Sequence, residues 1–431
     1  MRRVTPSVTA RAARAARDAS AAAEGWAGLQ RALLLAIFAL APVESRAVAG
    51  CVCHSWRDAA SDRSLWKRLD LVSYNDASVR RALGSAAARA GGELEILKLR
   101  YFGVVPNPTL SDVLRANRGA LREVHVGNFS SAVLGTRTDE QDLLWLLREL
   151  PSLCGLHIAA SCKYSDHGAM LLDEPPYGPL RLHGLRIYSD DSLGDPADLI
   201  TLLAAYPHEC LKALSLSGVS LSLPAVAEAM FDAALAFRMT SLDINDCQLC
   251  PAAVPALARL VSGNALKSLH IQTRGPREGD TPLFDAPSSV VLAAALHANT
   301  SLTFLSLGCV NLGDDIAPFN AILTSLVGHP SLAVLYLYYM WGAHVASIGP
   351  ALGALLAADA PALRELSVTG MLLGDDGAEP VVHGLAQNTH LRLLNVASSW
   401  GLGASFSLQQ LLPVARAHPT LRLLGVDGND E

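Results

Sequence analysis

The sequence predicts an α/β protein: a short N-terminal helical hairpin followed by a curved solenoid with a parallel inner sheet and outer helices. Three observations carry that expectation. A six-residue phrase with apolar residues at positions 1, 4 and 6 recurs twelve times, at separations of 27 to 36 residues. Between the phrases, apolar residues are spaced three and four apart, the period of a helix with one buried face. The helical stretches stop at regular places, some at an Asn three residues before the next phrase and others just ahead of a Pro.

In chain order, residues 1–24 open on MRRVTPSVTARAARAAR, which holds five Arg and no acidic residue. This composition predicts a disordered Ala/Arg tail, with an organellar transit peptide as the other possibility. The longest apolar run, ALLLAIFALAPV at 32–43, has 12 residues between Arg31 and Glu44. A membrane span needs about 20, so no crossing is expected. Secretion is not expected either, since some 30 residues precede the run and no convincing processing site follows it.

Residues 25–71 read as a compact helical hairpin. Leu33, Ile37 and Leu40 have helical spacing, Pro42 turns the chain, a second helix runs through Val48, Val52 and Trp56, and Leu65-Trp66 close the segment. So few residues bury too little to fold alone, and the hairpin is expected to lean on a partner or a neighbouring domain. The order Ile37-Phe38 with Leu40, then Val52-Cys53-His54-Ser55-Trp56, then Leu65-Trp66, resembles an F-box. Gln30, after Leu29, stands where that pattern has Pro, and Ala32 where it has Glu. The resemblance implies binding to the Skp adaptor of a cullin-RING ubiquitin ligase. Leu29, Leu33, Ile37, Phe38, Leu40 and Val52 would then be buried in the adaptor, with Trp56, Leu65 and Trp66 packing the hairpin onto the repeats. The alternative is a cap that seals the apolar edge of the first repeat.

Residues 72–431 hold the phrases, from LEILKL at 94 and LREVHV at 121 to LRLLNV at 391 and LRLLGV at 421. Positions 4 and 6 share one face of an extended strand and position 1 enters from the preceding turn, so each phrase is one short strand. Helices are expected over 224–237, 287–300 and 407–419. Asn299 and Asn388, three residues before Leu302 and Leu391, suggest left-handed C-terminal caps. Pro330, Pro361 and Pro419 mark the other stops. A strand, turn and helix every 30 residues or so resembles leucine-rich repeats of the ribonuclease-inhibitor type, over residues 94–431. At position 9 of the repeat, where that family has Asn or Cys, Cys247 matches, while Phe102, Val219, Val310 and Met371 depart. Residues 161–180 show no good helix, so the fourth turn is expected to be irregular.

Alternation along the strands sends positions 5 and 7 to the concave face. The early repeats place Lys98, Arg100, His125, His157 and Arg186 there, with Tyr188 beside them, a basic strip suited to an acidic or phosphorylated segment. At a strand spacing of about 4.8 Å the strip is about 15 Å long, room for four or five residues of peptide. The ninth repeat offers Tyr336, Tyr338, Tyr339 and Trp341, an aromatic group of the kind that anchors interfaces.

A net charge of −6 argues against general nucleic-acid or anionic-membrane binding. Eight scattered Cys suit thiols in a reducing compartment, hence cytoplasm or nucleus. The sequence has no phosphate-cradling Gly-rich loop, nucleophile elbow or His-x-x-x-His pair. Cys247-x-x-Cys250 lacks the second half of a metal site. No catalysis, cofactor or metal is expected. The resemblances together imply a non-catalytic substrate receptor of an SCF-type ligase. The competing expectation is a stand-alone repeat scaffold or GTPase-regulator-like protein with the hairpin as a cap.

Overall fold

The computed structural model describes residues 29–73, 76–101, 109–126, 150, 152–159, 183–188, 211–274, 282–312, 315–340, 345–371, 373–398 and 402–426. The tail at 1–24 and the segment at 161–180 lie outside the described residues. The chain forms two compact units, Met1–Leu153 and Cys154–Glu431. No helix among the described residues is long and apolar enough to cross a membrane.

In the first unit, helices α1 (Arg31–Leu40), α2 (Val43–Ala49) and α3 (His54–Ala60) lead through a 3-10 turn (Arg63–Trp66) into strand β1 (Arg68–Ser73). Helix α4 (Asp76–Ala90), β2 (Ile96–Tyr101), α5 (Thr109–Ala116) and β3 (Glu123–Val126) follow. The three strands are parallel, and Leu69, Leu97 and Val124 pair in one row. Strand β1 is a thirteenth copy of the phrase, Trp66-Lys67-Arg68-Leu69-Asp70-Leu71, 28 residues ahead of Leu94. It straddles the boundary drawn at 71/72. Trp at position 1 hid it, because that residue also closes the hairpin. Trp66 is fully buried, its indole N–H donates to the Ala60 carbonyl at 2.8 Å, and the Arg89 guanidinium lies 4.8 Å from the ring centroid. Here one side chain serves two elements.

The second unit repeats the same step. Its strands are β4 (Gly155–Ala159), β5 (Gly184–Tyr188), β6 (Ala213–Ser217), the two-residue β7 (Ser220–Leu221), β8 (Ser241–Leu249), β9 (Ser268–Thr273), β10 (Phe304–Gly308), β11 (Val334–Tyr338), β12 (Glu365–Thr369), β13 (Leu393–Asn395) and β14 (Leu423–Gly425). Helices α6 (Pro224–Ala236), α7 (Val254–Ser262), α8 (Ala286–Ala298), α9 (Ala317–Ser325), α10 (Gly349–Ala357) and α11 (Gly374–Gln387) alternate with them. The last connection holds α12 (Ala404–Phe406), a π-helical turn (Ser407–Leu411) and α13 (Leu412–Ala417). Apart from β7, which pairs only with β8, each strand pairs in parallel with the next in sequence. The same phrase positions meet, as in the row Leu305, Leu335, Leu366 and Leu394, with a register shift on β8 between Ile244 and Cys247. Every main strand starts at position 3 of its phrase. Leu211, Met239, Leu266, Leu302, Leu332, Leu363 and Leu391, all at position 1, are buried. Val219, Val310 and Met371 are buried as well, so the departures at position 9 fill the turn with apolar side chains. Cys247 is buried there too, and burial pushes its thiol up to about 12.

The helix stops differ from expectation. Asn299 and Asn388 have extended backbones, at φ −75° and −81°, where left-handed caps were predicted. Their side chains do the work instead. Oδ1 of Asn299 accepts from the N–H groups of Ser301 and Leu302, while Nδ2 donates to the Val261 carbonyl one repeat back. Asn388 does the same with His390, Leu391 and Leu356. Both are buried, and each pairs three backbone groups at its turn. At the stops before Pro330 and Pro419 the position is held by His329 and His418. Their Nδ1 atoms accept from the N–H groups two and three residues on. The left-handed conformation occurs at Asn264 and Asp359, at the ends of other helices.

Candidate functional site

Helix α1 is apolar at every position after Arg31, so burial and not pattern decides which face looks inward. Leu34 and Phe38 are buried at 1% and 3%. Leu33, Ile37 and Leu40 are exposed at 49%, 38% and 89%, joined by Val48 at 66% on α2 and Val52 at 60% just beyond it. At about 100° per residue, Leu33, Ile37 and Leu40 fall within an arc of about 60°. That is an apolar stripe facing water, the signature of an interaction surface.

Four of the six residues expected at the adaptor, Leu33, Ile37, Leu40 and Val52, lie exposed here. Leu29 is half-buried. Phe38 lies on the inward face instead, buried, with its ring edge-on to Trp56 at 5.3 Å. The same contact holds the half-buried Trp56 against Phe38 within the hairpin, whereas Leu65 and Trp66 are the residues buried at the start of the repeats. Val48, four residues before Val52, is exposed as well, and that spacing was its only signal. Arg46 fixes the helix from behind, donating to the carbonyls of Ala39, Ala41 and Leu65 at 3.0, 2.8 and 2.5 Å. Burial lowers the Arg46 pKa from its usual value without removing the charge.

The second candidate surface is the strand face opposite the buried one. Burial alternates along β6, β9, β11 and β12, with positions 4 and 6 inside and 3, 5 and 7 half-exposed. In the first unit, Lys98 and His125 stand on this face as expected, but Glu123 stands there too. The Lys98 ammonium is 3.3 Å from its carboxylate, and His125 is hydrogen-bonded to it. Burial of Glu123 works toward a higher pKa, yet the His125 and Lys98 contacts outweigh it and hold the carboxyl below its usual range. The basic strip therefore contains its own counter-charge. Position 3 carries it, and alternation taken two residues back from position 5 finds both Glu123 and Glu365. The side chains of Arg100, His157, Arg186 and Tyr188, and all of Trp341, lie outside the described residues.

In the second unit the tyrosines make a network. Tyr338 crosses strand β10 to reach β9, donating to Gln272 at 2.8 Å, with His270 Nε2 at 3.1 Å and the two rings stacked at 6.1 Å. It passes over Gly308, where an added Cβ would sit 2.2 Å from the ring. Burial, with Cys309 and Asp243 adding to it, pushes the Tyr338 phenol up to about 12. Gly308→Val is expected to expel the ring and cost about 1–3 kcal/mol. An ultraviolet titration would show one phenol return toward its ordinary value near 10. Ser215 donates to Asp243 at 2.8 Å, and Asp243 lies 3.8 Å from His270 Nε2. That order does not make a nucleophile, because the serine hydroxyl points to the carboxylate and not the imidazole. No cluster fit to hold a metal occurs among the described residues.

No curated protein matches the chain. A leucine-rich-repeat protein of Leptospira interrogans is a structural neighbour, with 14% identity, 83% of this chain and 88% of that one covered, and a TM-score of 0.34. Residues 31–72, the stretch that carries the exposed apolar stripe, match the family model described as F-box-like.

Proposed function

We propose that the chain is the substrate-recognition subunit of an SCF-type cullin-RING ubiquitin ligase. The Skp adaptor docks on Leu33, Ile37, Leu40, Val48 and Val52, and the open strand face holds a protein target. One observation carries this reading: an apolar helix face is left exposed within the F-box-like stretch itself. A receptor of this kind does no chemistry and needs no cofactor. It needs an apolar surface for a constant partner and a mixed surface of aromatic and polar groups for the target. Full helices such as Pro224–Ala236, Ala286–Ala298 and Gly374–Gln387 support repeats of the ribonuclease-inhibitor type. The cytoplasm or nucleus is the compartment this role requires.

The burial of Trp66 at the junction of hairpin and first strand favours a second reading, a stand-alone scaffold with the hairpin as its cap. A pull-down of the full chain with purified Skp adaptor separates the two. Ile37→Asp with Leu40→Asp should weaken binding at least thirtyfold or so, because charge replaces apolar contact at the centre of the interface. Leu40 is almost wholly in water and Ile37 partly so, and the melting temperature should fall little. A folded wild-type chain that ignores the adaptor, or a double variant that still binds it, would leave the scaffold.

A further inference from the structure

We infer that the open face across β10, β11 and β12 receives an arginine or lysine side chain of the target, an inference that rests on the target-binding reading above. Positions 3, 5 and 7 of β6 and of β8 to β12 contain no Lys and no Arg. Glu365 stands among them beside an aromatic group. Tyr336 donates its hydroxyl to Glu365 Oε2 at 2.8 Å and lies edge-on to Phe304 at 5.5 Å. Tyr339, 51% exposed, stands edge-on to Tyr338 at 6.1 Å.

The faces of these rings are electron-rich and attract a cation, and a carboxylate alongside adds a charged acceptor for its N–H groups. The Tyr336 hydroxyl already orients Glu365, so less side-chain freedom is lost when a ligand arrives. A guanidinium stacks on a ring while donating in its own plane to a carboxylate, which an ammonium does not do, so arginine fits better than lysine. An acidic or phosphorylated segment would instead face Glu365 with no Lys or Arg at positions 3, 5 and 7 of these strands. In the first unit, Glu123 already engages Lys98 and His125.

The test uses the full chain on an array of ten-residue peptides with random flanks and a fixed central arginine, lysine, glutamate or phosphoserine. Arginine-centred peptides should be retained best and lysine-centred ones next. Glu365→Gln should reduce that retention about tenfold. Tyr336→Ala should reduce it similarly, and Tyr336→Phe, which keeps the ring, should reduce it less. Preference for glutamate or phosphoserine peptides, lost on Tyr336→Ala, would overturn the cation inference and leave the open face as the docking surface. No retention of any class, or retention indifferent to every substitution, would sink both. Melting curves report on the folding of each variant, and adaptor co-elution reports on the hairpin independently of these outcomes.

Discussion

Trp66→Ala should destabilise the first unit by about 3–5 kcal/mol, the cost of emptying a fully buried aromatic site. Three contacts disappear together. The indole leaves a cavity at position 1 of the first strand, the Ala60 carbonyl loses its donor, and the Arg89 guanidinium loses the ring it covers. Hydrogen exchange resolved by segment is the suitable readout, since a chain of two units need not unfold in one step. Protection should fall in α3 and β1 together, because both lean on the same ring. Trp66→Phe should keep most of the packing and lose about 1 kcal/mol with the indole hydrogen bond. A loss in β1 alone, with α3 unchanged, would show that the hairpin is held by other contacts.

Asn299→Ala should cost about 3–5 kcal/mol in the second unit, measured by urea unfolding. Truncation strips the acceptor from the N–H groups of Ser301 and Leu302 and the donor from the Val261 carbonyl, all at a buried turn. The histidines at the equivalent place behave differently with pH. His329 Nδ1 accepts two backbone N–H groups, so a proton on it would face two donors, and its buried Nε2 has no partner among the described residues. Burial, and to a lesser degree the charge of His297, lowers the His329 pKa below its usual 6.5. The unfolded chain therefore binds the proton more readily. Stability from His329 is complete above about pH 6.5 and is lost as pH falls through the depressed folded value. His418 follows the same sense through burial, opposed by Asp359. His329→Asn should keep both backbone bonds, add a donor, and flatten this acid-side loss. An unchanged pH profile would mean that the imidazole is not the titrating group.

The repeat strands were legible because two periods coincide in them: alternation within the phrase and a step of about 30 residues between phrases. Where one residue satisfies two patterns, legibility fails. Trp66 fits both the end of the hairpin and position 1 of a repeat, and so β1 was missed. Asn fits both a left-handed cap and a side-chain bridge, and the spacing to the next Leu does not separate them. On α1 the difficulty is the reverse, a helix with too little polarity to mark its faces. Phe38 and Ile37 are neighbours in sequence and equally apolar, yet only the packing of Trp56 makes one of them core. On the open face, alternation within the phrase located the strands and placed Tyr336 and Tyr338 on their half-exposed side. It missed Glu123 and Glu365, because position 3 was not read as part of that face.

The bridging asparagines have a mechanical meaning. Asn299 belongs to one turn but holds the carbonyl end of the helix before it, and Asn388 holds Leu356 in the same way. Each rivet thus joins a repeat to its predecessor, and none joins distant parts of the chain. Tension applied to the second unit would be borne neighbour by neighbour. The array would give way as a zipper does, tooth after tooth from a free end, with each released period paying out about 100 Å of chain.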